Sequence, residues 1–239
     1  MPNDAGPSDS TSLSPTERTR VTRGDRSRSD RKELTDVLAA GLVCHLGVVV
    51  DGVPRVLPTA YGFDLDGPDR DGTLYLHGSV AARSLLAAPG QPVCVTVTLV
   101  DGLVLARSGF HHSMNYRSAV MIGTPRAVTE PAEREHGLRL VVDHLVPGRS
   151  ATLRTNTRKE LAATGVLALP LYEASVKTRT GDPVDDEGDL ASGTWAGVVP
   201  VGTVLGQPRA SGDCPRGVPV PADVTALVAR SRSSPGPTG

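Results

Sequence analysis

The sequence predicts a mainly β protein with flanking helices, its strands closing into a six-stranded antiparallel barrel. Three observations carry this reading. Between Leu42 and Thr129 most apolar residues alternate with period two in closely spaced runs. Asp-Gly pairs at Asp51-Gly52 and Asp101-Gly102 mark tight hairpin turns. The two longest helical patterns lie outside that stretch, one before it and one after it.

Taken in order, residues 1–28 are rich in Ser, Thr, Pro, Asp and Arg, and a mobile polar tail is expected. Acidic residues interrupt its basic run, so it reads as a solvated segment and not as a nucleic-acid arm. A helix is expected from Asp30 to Ala40, capped by Ser29 or Asp30, with Leu34, Val37 and Leu38 on one face and Gly41 as the stop. "LVCHLGVVV" and "VPRVLPTAYGFD" make a hairpin across Asp51-Gly52. The strand "TLYLHGS" follows, then a short helix with Arg83 in its first turn. "PVCVTVTLV" and "LVLARSGF" make a second hairpin across Asp101-Gly102, and "NYRSAVMIGTPRAVT" is one long strand. Helices are expected from Ala132 to Leu145, with Leu138, Val141, Val142 and Leu145 as its apolar stripe, and from Arg158 to Ala163. "GVLALPLYEASVKTR" is a strand, and "TWAGVVPVGTVLG" the last strand of the barrel. Residues 29–206 form one domain; residues 207–239 are a Pro/Gly-rich tail with a helical turn or two at 221–229.

The 239 residues carry a formal net charge of -1, so no global field favours nucleic acid or an anionic membrane. The three cysteines, Cys44, Cys94 and Cys214, are odd in number and lack CxxC spacing, which indicates neither a disulfide framework nor a zinc site. The N-terminus has no apolar h-region and no run is long enough to span a bilayer. A cytoplasmic protein with no membrane or nucleic-acid partner is expected.

No GxSxG elbow, P-loop, HExxH or strand-linked GxGxxG is present. In "TLYLHGSVAARSLL" a strand ends at His77, Gly78 and Ser79 just before a helix start. Free N–H groups and Arg83 there suit an anion such as phosphate; an ordinary strand-to-helix turn with Ser79 as N-cap reads the same residues. His45 in an apolar strand reads as a core histidine, and His136 and His144 as helix positions. "GFHHSMNYRS" places many polar groups where an apolar strand would be expected, as either a ligand site or a wet loop.

These pieces together resemble the pyridoxamine 5'-phosphate oxidase-like superfamily with its FMN-binding split barrel, in the branch of the nitroimidazole-resistance (flavin-nucleotide-binding) proteins. The resemblance covers roughly Asp30 to Gly206 and rests on "PRVLPTAYGFD", "TLYLHGSVAARSLL", "NYRSAVMIG" and "TWAGVVPV". It implies that Pro58 and Thr59 border the flavin ring, that Gly78, Ser79 and Arg83 hold the FMN phosphate, and that Tyr116, Arg117 and Ser118 reach the cofactor of the partner subunit. Trp195 would edge the ring, and His77 would orient substrate or donate a proton as the catalytic residue. The implied protein is a homodimeric FMN-dependent oxidoreductase acting on a small molecule. Ala82 stands where many true oxidases carry a second basic residue, so vitamin B6 is not the expected substrate. Some relatives bind haem or the deazaflavin F420 instead of FMN; with haem, His77, His111 or His112 would be the iron ligand, and a non-catalytic flavin-binding or sensor protein is the third alternative.

Overall fold

The computed structural model describes residues 11–13 and 15–233. After one helical turn at Gly24–Arg26 come β1 (Ser27–Arg28), α1 (Arg31–Ala40), β2 (Cys44–Val50), β3 (Val53–Thr59), β4 (Tyr61–Asp64) and β5 (Thr73–Ser79). The chain continues through α2 (Arg83–Ala87), β6 (Val93–Leu105), β7 (Ser113–Gly123), β8 (Arg126–Ala127), α3 (Pro131–Leu145) and α4 (Arg158–Ala163). It ends with β9 (Thr164–Pro170), β10 (Ala174–Arg179), β11 (Gly197–Pro200) and α5 (Ala222–Ser233). The strands make two antiparallel sheets: β1-β10-β7-β6-β2-β3 with β11 added to β6, and β4-β5-β9-β8. The mainly β, antiparallel expectation holds, with more strands than six. Three runs read as single strands change sheet partway, at Ala60, at Thr124-Pro125 and at Leu171–Glu173. Alternation continues through such a corner, so period alone does not reveal it.

Helix α1 starts where Asp30 Oδ1 accepts from the Lys32 N–H at 2.8 Å, and it buries Leu34, Val37 and Leu38. Its face packs on β6 and β7 and shares one core with Val95 and Val97 of β6, Met121 of β7 and Leu46 of β2, and the same core takes in Leu74 and Leu76 of β5 and Leu167 and Leu169 of β9. A second, smaller core lies on the far side of β5 and β9: Tyr75, Val166 and Ala168 beneath Leu138 and Leu140 of α3. Two glycines let α3 come this close. A Cβ on Gly62 would stand 2.6 Å from backbone atoms of Leu140 and Val141, and one on Gly137 would stand 2.8 Å from Tyr75 Cδ1. Arg126 ties the start of α3 in place, donating to both carboxylate oxygens of Asp69 at 2.9 Å and to Glu133.

The first hairpin forms as read. Asp51 and Gly52 both take left-handed φ, 53° and 76°, and Val50 pairs with Val53. The second does not: β6 runs straight through Asp101-Gly102 as a 13-residue strand, with a register shift between Val100 and Gly102. Strands flank β6 on both sides at this point, so the dipeptide makes a bulge instead of a turn. Asp101 is buried, and a Cβ on Gly102 would meet Val198 Cγ1 of β11 at 2.9 Å.

The tail expected through residue 28 is also different from Thr16 onward. Thr16 and Arg18 donate to the nearly buried Glu173 carboxylate, and β1 adds a short strand by pairing Ser27 with Lys177 and Arg28 with Val176. A buried carboxylate needs such donors, and the polar segment supplies them. Residues 1–10 of that tail lie outside the described residues. Near the C-terminus the expected helical turns extend to the 12 residues of α5, with Asp223 3.4 Å from Arg149.

Fully buried Tyr61 joins α1 to the sheets through its hydroxyl, which lies 2.7 Å from the Leu38 carbonyl and 2.9 Å from the Gly41 carbonyl. Tyr61→Phe leaves the Leu38 carbonyl short of a donor, while the Gly41 carbonyl keeps His144 Nε2 at 2.7 Å. It should cost about 1–2 kcal/mol and lower Tm by about 3–6 °C in thermal unfolding; an unchanged Tm would contradict this account of the joint.

Candidate functional site

At the end of β5 the packing explains two glycines before any ligand is invoked. Gly78 pairs with Gly165 of β9, and a Cβ on either would sit about 3 Å from a methyl of Leu85, which lets α2 rest on the bare strands. Ser79 Oγ accepts from the Ala81 N–H at 3.2 Å, closing the turn itself; the residue at the helix cap is Ala82, which has no side-chain acceptor. Arg83 lies 3.0 Å from Asp51 of the β2–β3 turn, and both side chains are largely exposed. That turn is the far end of the hairpin from Pro58 and Thr59, which pair with His45 and Cys44. Six residues of strand, roughly 20 Å, separate Val53 from Thr59.

The outward face of the large sheet gathers three other predicted positions. Alternation from the buried Ala119 and Met121 points Tyr116 and Ser118 of β7 outward, and from buried Cys44 and Leu46 it points His45 outward with its partner Pro58. Pro58 and Ser118 thus share one face, three strands or roughly 14 Å apart. His45, read as a core residue, is exposed there. Burial opposes ionisation of the Tyr116 hydroxyl, but nearby Lys177 and Arg26 outweigh it and lower its pKa. Arg117 lies on the inward side of β7, in a bidentate pair with Asp101 at 2.8 and 2.9 Å. Trp195 is mostly exposed, with its ring packed on Gly197 at the start of β11.

His77 belongs to neither group. It lies two residues beyond Tyr75 and so faces α3, at a cavity of about 290 Å³ walled by Leu138, Val141 and Val142 of α3, Leu153, and Leu161 of α4. Its Nδ1 is buried without a hydrogen-bond partner, and burial lowers its pKa, which keeps the imidazole neutral. Arg139 and Arg154 stand at the same cavity, Arg154 already donating to Glu160. The apolar stripe of α3 was legible in the sequence; that part of it lines a cavity was not, because the wall opposite comes from the irregular segment around Leu153.

His111 and His112 lie in a turn before β7, not on a strand. His112 Nδ1 is 2.8 Å from the Ser108 carbonyl, and His111 Nε2 is 3.2 Å from Asp186 Oδ2. Among the described residues no group of three or more His, Cys, Asp and Glu is placed to hold a metal ion, and no helix is long and apolar enough to cross a membrane.

Residues 30–178 match the family described as pyridoxamine 5'-phosphate oxidase. No curated protein matches the chain. Among solved structures, the flavocytochrome Anf3 from Azotobacter vinelandii is 37% identical, with a TM-score of 0.81 over 90% of this chain and 98% of that one. The FAD and haem binding protein from Mycobacterium smegmatis is 38% identical, with a TM-score of 0.78 over 84% and 97%. A protein assigned to 5-nitroimidazole antibiotic resistance from Bacteroides thetaiotaomicron shares the fold at 21% identity, with a TM-score of 0.51 over 63% and 85%.

Two outcomes follow from this geometry. Arg117→Ala strands the buried Asp101 carboxylate and should cost about 1–3 kcal/mol in denaturant unfolding. Adding Asp101→Ala should then cost less than the sum of the two single changes; strict additivity would show that the pair is not coupled. Burial also lowers the pKa of His144, against the opposing effect of the Gly41 carbonyl. With His77 and His144 both below the ordinary 6.5, the unfolded chain takes up protons that the folded chain refuses. Their contribution to stability is therefore whole above about pH 6.5 and is lost as pH falls below it. In the cofactor-free protein, His77→Gln with His144→Gln should flatten the Tm slope between about pH 7 and 5; an unaltered slope would contradict the assignment.

Proposed function

The chain belongs to the pyridoxamine 5'-phosphate oxidase family, and we propose that it is a homodimeric oxidoreductase of that family that binds both a flavin and a haem. The observation that carries the haem half is His77: a neutral, half-buried imidazole with an unpartnered nitrogen, set at a cavity where Leu138, Val141, Val142, Leu153 and Leu161 form an apolar patch among polar residues. Such a donor would hold a haem iron, since the neutral ring is the ligating form. Arg139 at the cavity suits the carboxylates of a porphyrin. The two relatives at 37% and 38% identity, a flavocytochrome and a FAD and haem binding protein, support the pairing of cofactors. The second of them also favours FAD over the FMN that the sequence resemblance implies.

The flavin half is assigned to the outward face of the large sheet, where Pro58 would border the ring and Tyr116 and Ser118 would reach it from a second copy; Thr59, opposite the buried Cys44, turns its side chain inward and would meet the ring only through its backbone. In one copy this face exposes Val49 and Val56, 43% and 68% accessible, as a partner subunit would cover them. A bound flavin supplies hydride or single-electron transfer, and a bound haem supplies single-electron exchange. Tyr116, with its lowered pKa, is placed to give up or hold a proton on that face. His77 stays unprotonated through the neutral range and remains a donor of its lone pair. Arg117 is held by Asp101 and acts as a positioning residue for β7.

The absorption spectrum of His77→Ala tests the reading. The variant should lose the Soret band while keeping the flavin band, which also reports a folded protein. A Soret band of wild-type strength in the variant would overturn the assignment of His77.

A further inference from the structure

On the side of the barrel away from α3 lies a groove of about 910 Å³, between the segment before β1, the turn before β7 and the chain leaving β10. Arg23, Arg26, Arg28 and Arg179 line it, against two carboxylates, Asp25 and Asp182. Arg28 is paired outside the groove with Glu33 at 3.5 Å, and Asp25 is only 3.9 Å from Arg26. Arg179 is held entirely by neutral oxygens: the Asn115 side chain and the Gly181 and Asp182 carbonyls. Its charge therefore has no bonded carboxylate. Thr178, a residue only 9% accessible, is among those that line the same groove, and its buried Oγ1 has no hydrogen-bond partner. His111 adds a buried nitrogen, Nε2, that lies 3.2 Å from Asp186 Oδ2 without an aligned hydrogen bond. At the rim stands Phe110, 90% accessible, an unusual exposure for a large aromatic.

We propose that this groove binds the diphosphate-bearing half of a nucleotide, with the phosphates between Arg23, Arg26 and Arg179, an oxygen accepting from Thr178 Oγ1, and the base against the face of Phe110. Phosphate oxygens satisfy fixed guanidinium forks better than any neutral ligand does, and an exposed aromatic face is a stacking surface for a base. The diphosphate has two possible sources, the flavin itself when it is a dinucleotide or a nicotinamide dinucleotide that delivers electrons. Only the first source rests on the flavin reading above, and neither depends on His77.

The test titrates ADP into the full-length protein by calorimetry, both as purified and after removal of flavin. ADP should bind, more weakly as salt rises. Arg179→Ala and, separately, Arg23→Ala should weaken it about tenfold, consistent with the loss of one charge-assisted contact. Phe110→Ala, a change at an exposed site that cannot unfold the barrel, should weaken it about threefold. If only the flavin-free protein binds ADP, and Arg179→Ala loses affinity for FAD but not FMN, the groove holds the flavin's diphosphate. If the flavin-loaded protein binds ADP in competition with a nicotinamide dinucleotide, the groove serves the donor. No ADP binding in either form, or equal binding by Arg179→Ala and Arg23→Ala, overturns the proposal. Loss of flavin without loss of ADP binding would instead count against the flavin reading alone.

Discussion

The burial of β5 on both faces is the constraint from which the rest of the architecture follows. Leu74 and Leu76 belong to the core beneath α1, and Tyr75 between them belongs to the core beneath α3. A strand in the middle of two apolar layers cannot slip by one residue without exchanging them, so its register with β4 and β9 is fixed from both sides. That register decides which way His77 points. It also sets the separation of the two candidate cofactor regions, because everything on the α3 side of β5 is walled off from the outward face of the large sheet.

Much of this was legible in the sequence, and the failures have physical causes. The Asp30 cap, the Gly41 stop, the Asp51-Gly52 hairpin and helix α4 depend on neighbours in the chain, and local chemistry named them. Asp101-Gly102 carried the same turn signal and makes a bulge, because β7 and β11 flank β6 at that point and Arg117 holds the Asp101 carboxylate. No local rule sees a partner that arrives later in the chain. The polar stretch before α1 failed for the same reason: the demand of Glu173 for donors comes from the far end of the domain. Family resemblance grouped His77 with the residues of the flavin ring, whereas the strand's own alternation, Tyr75 to His77, places it with α3.

Charge is distributed along the same division. The α3 side is tied by closed networks, Arg126 with Asp69 and Glu133 above all, and its open cavity sets apolar residues of α3 among polar ones, Arg154 being paired with Glu160. The groove on the opposite side carries Arg179, held by neutral oxygens, and Arg26, 3.9 Å from Asp25. Closed networks fix structure, whereas cations held by carbonyls remain available to an anion. The polar N-terminal segment is thereby both structural, through β1 and the Glu173 contacts, and a source of positive charge beside β10.

The central claim is that one chain of this fold carries two redox groups in two separate compartments. The most direct measurement is the mass and amount of every cofactor released on denaturing the purified protein, per chain. The account predicts one flavin and one haem for each chain. Flavin alone, with haem absent even after supply of haem to the folded protein, would contradict it.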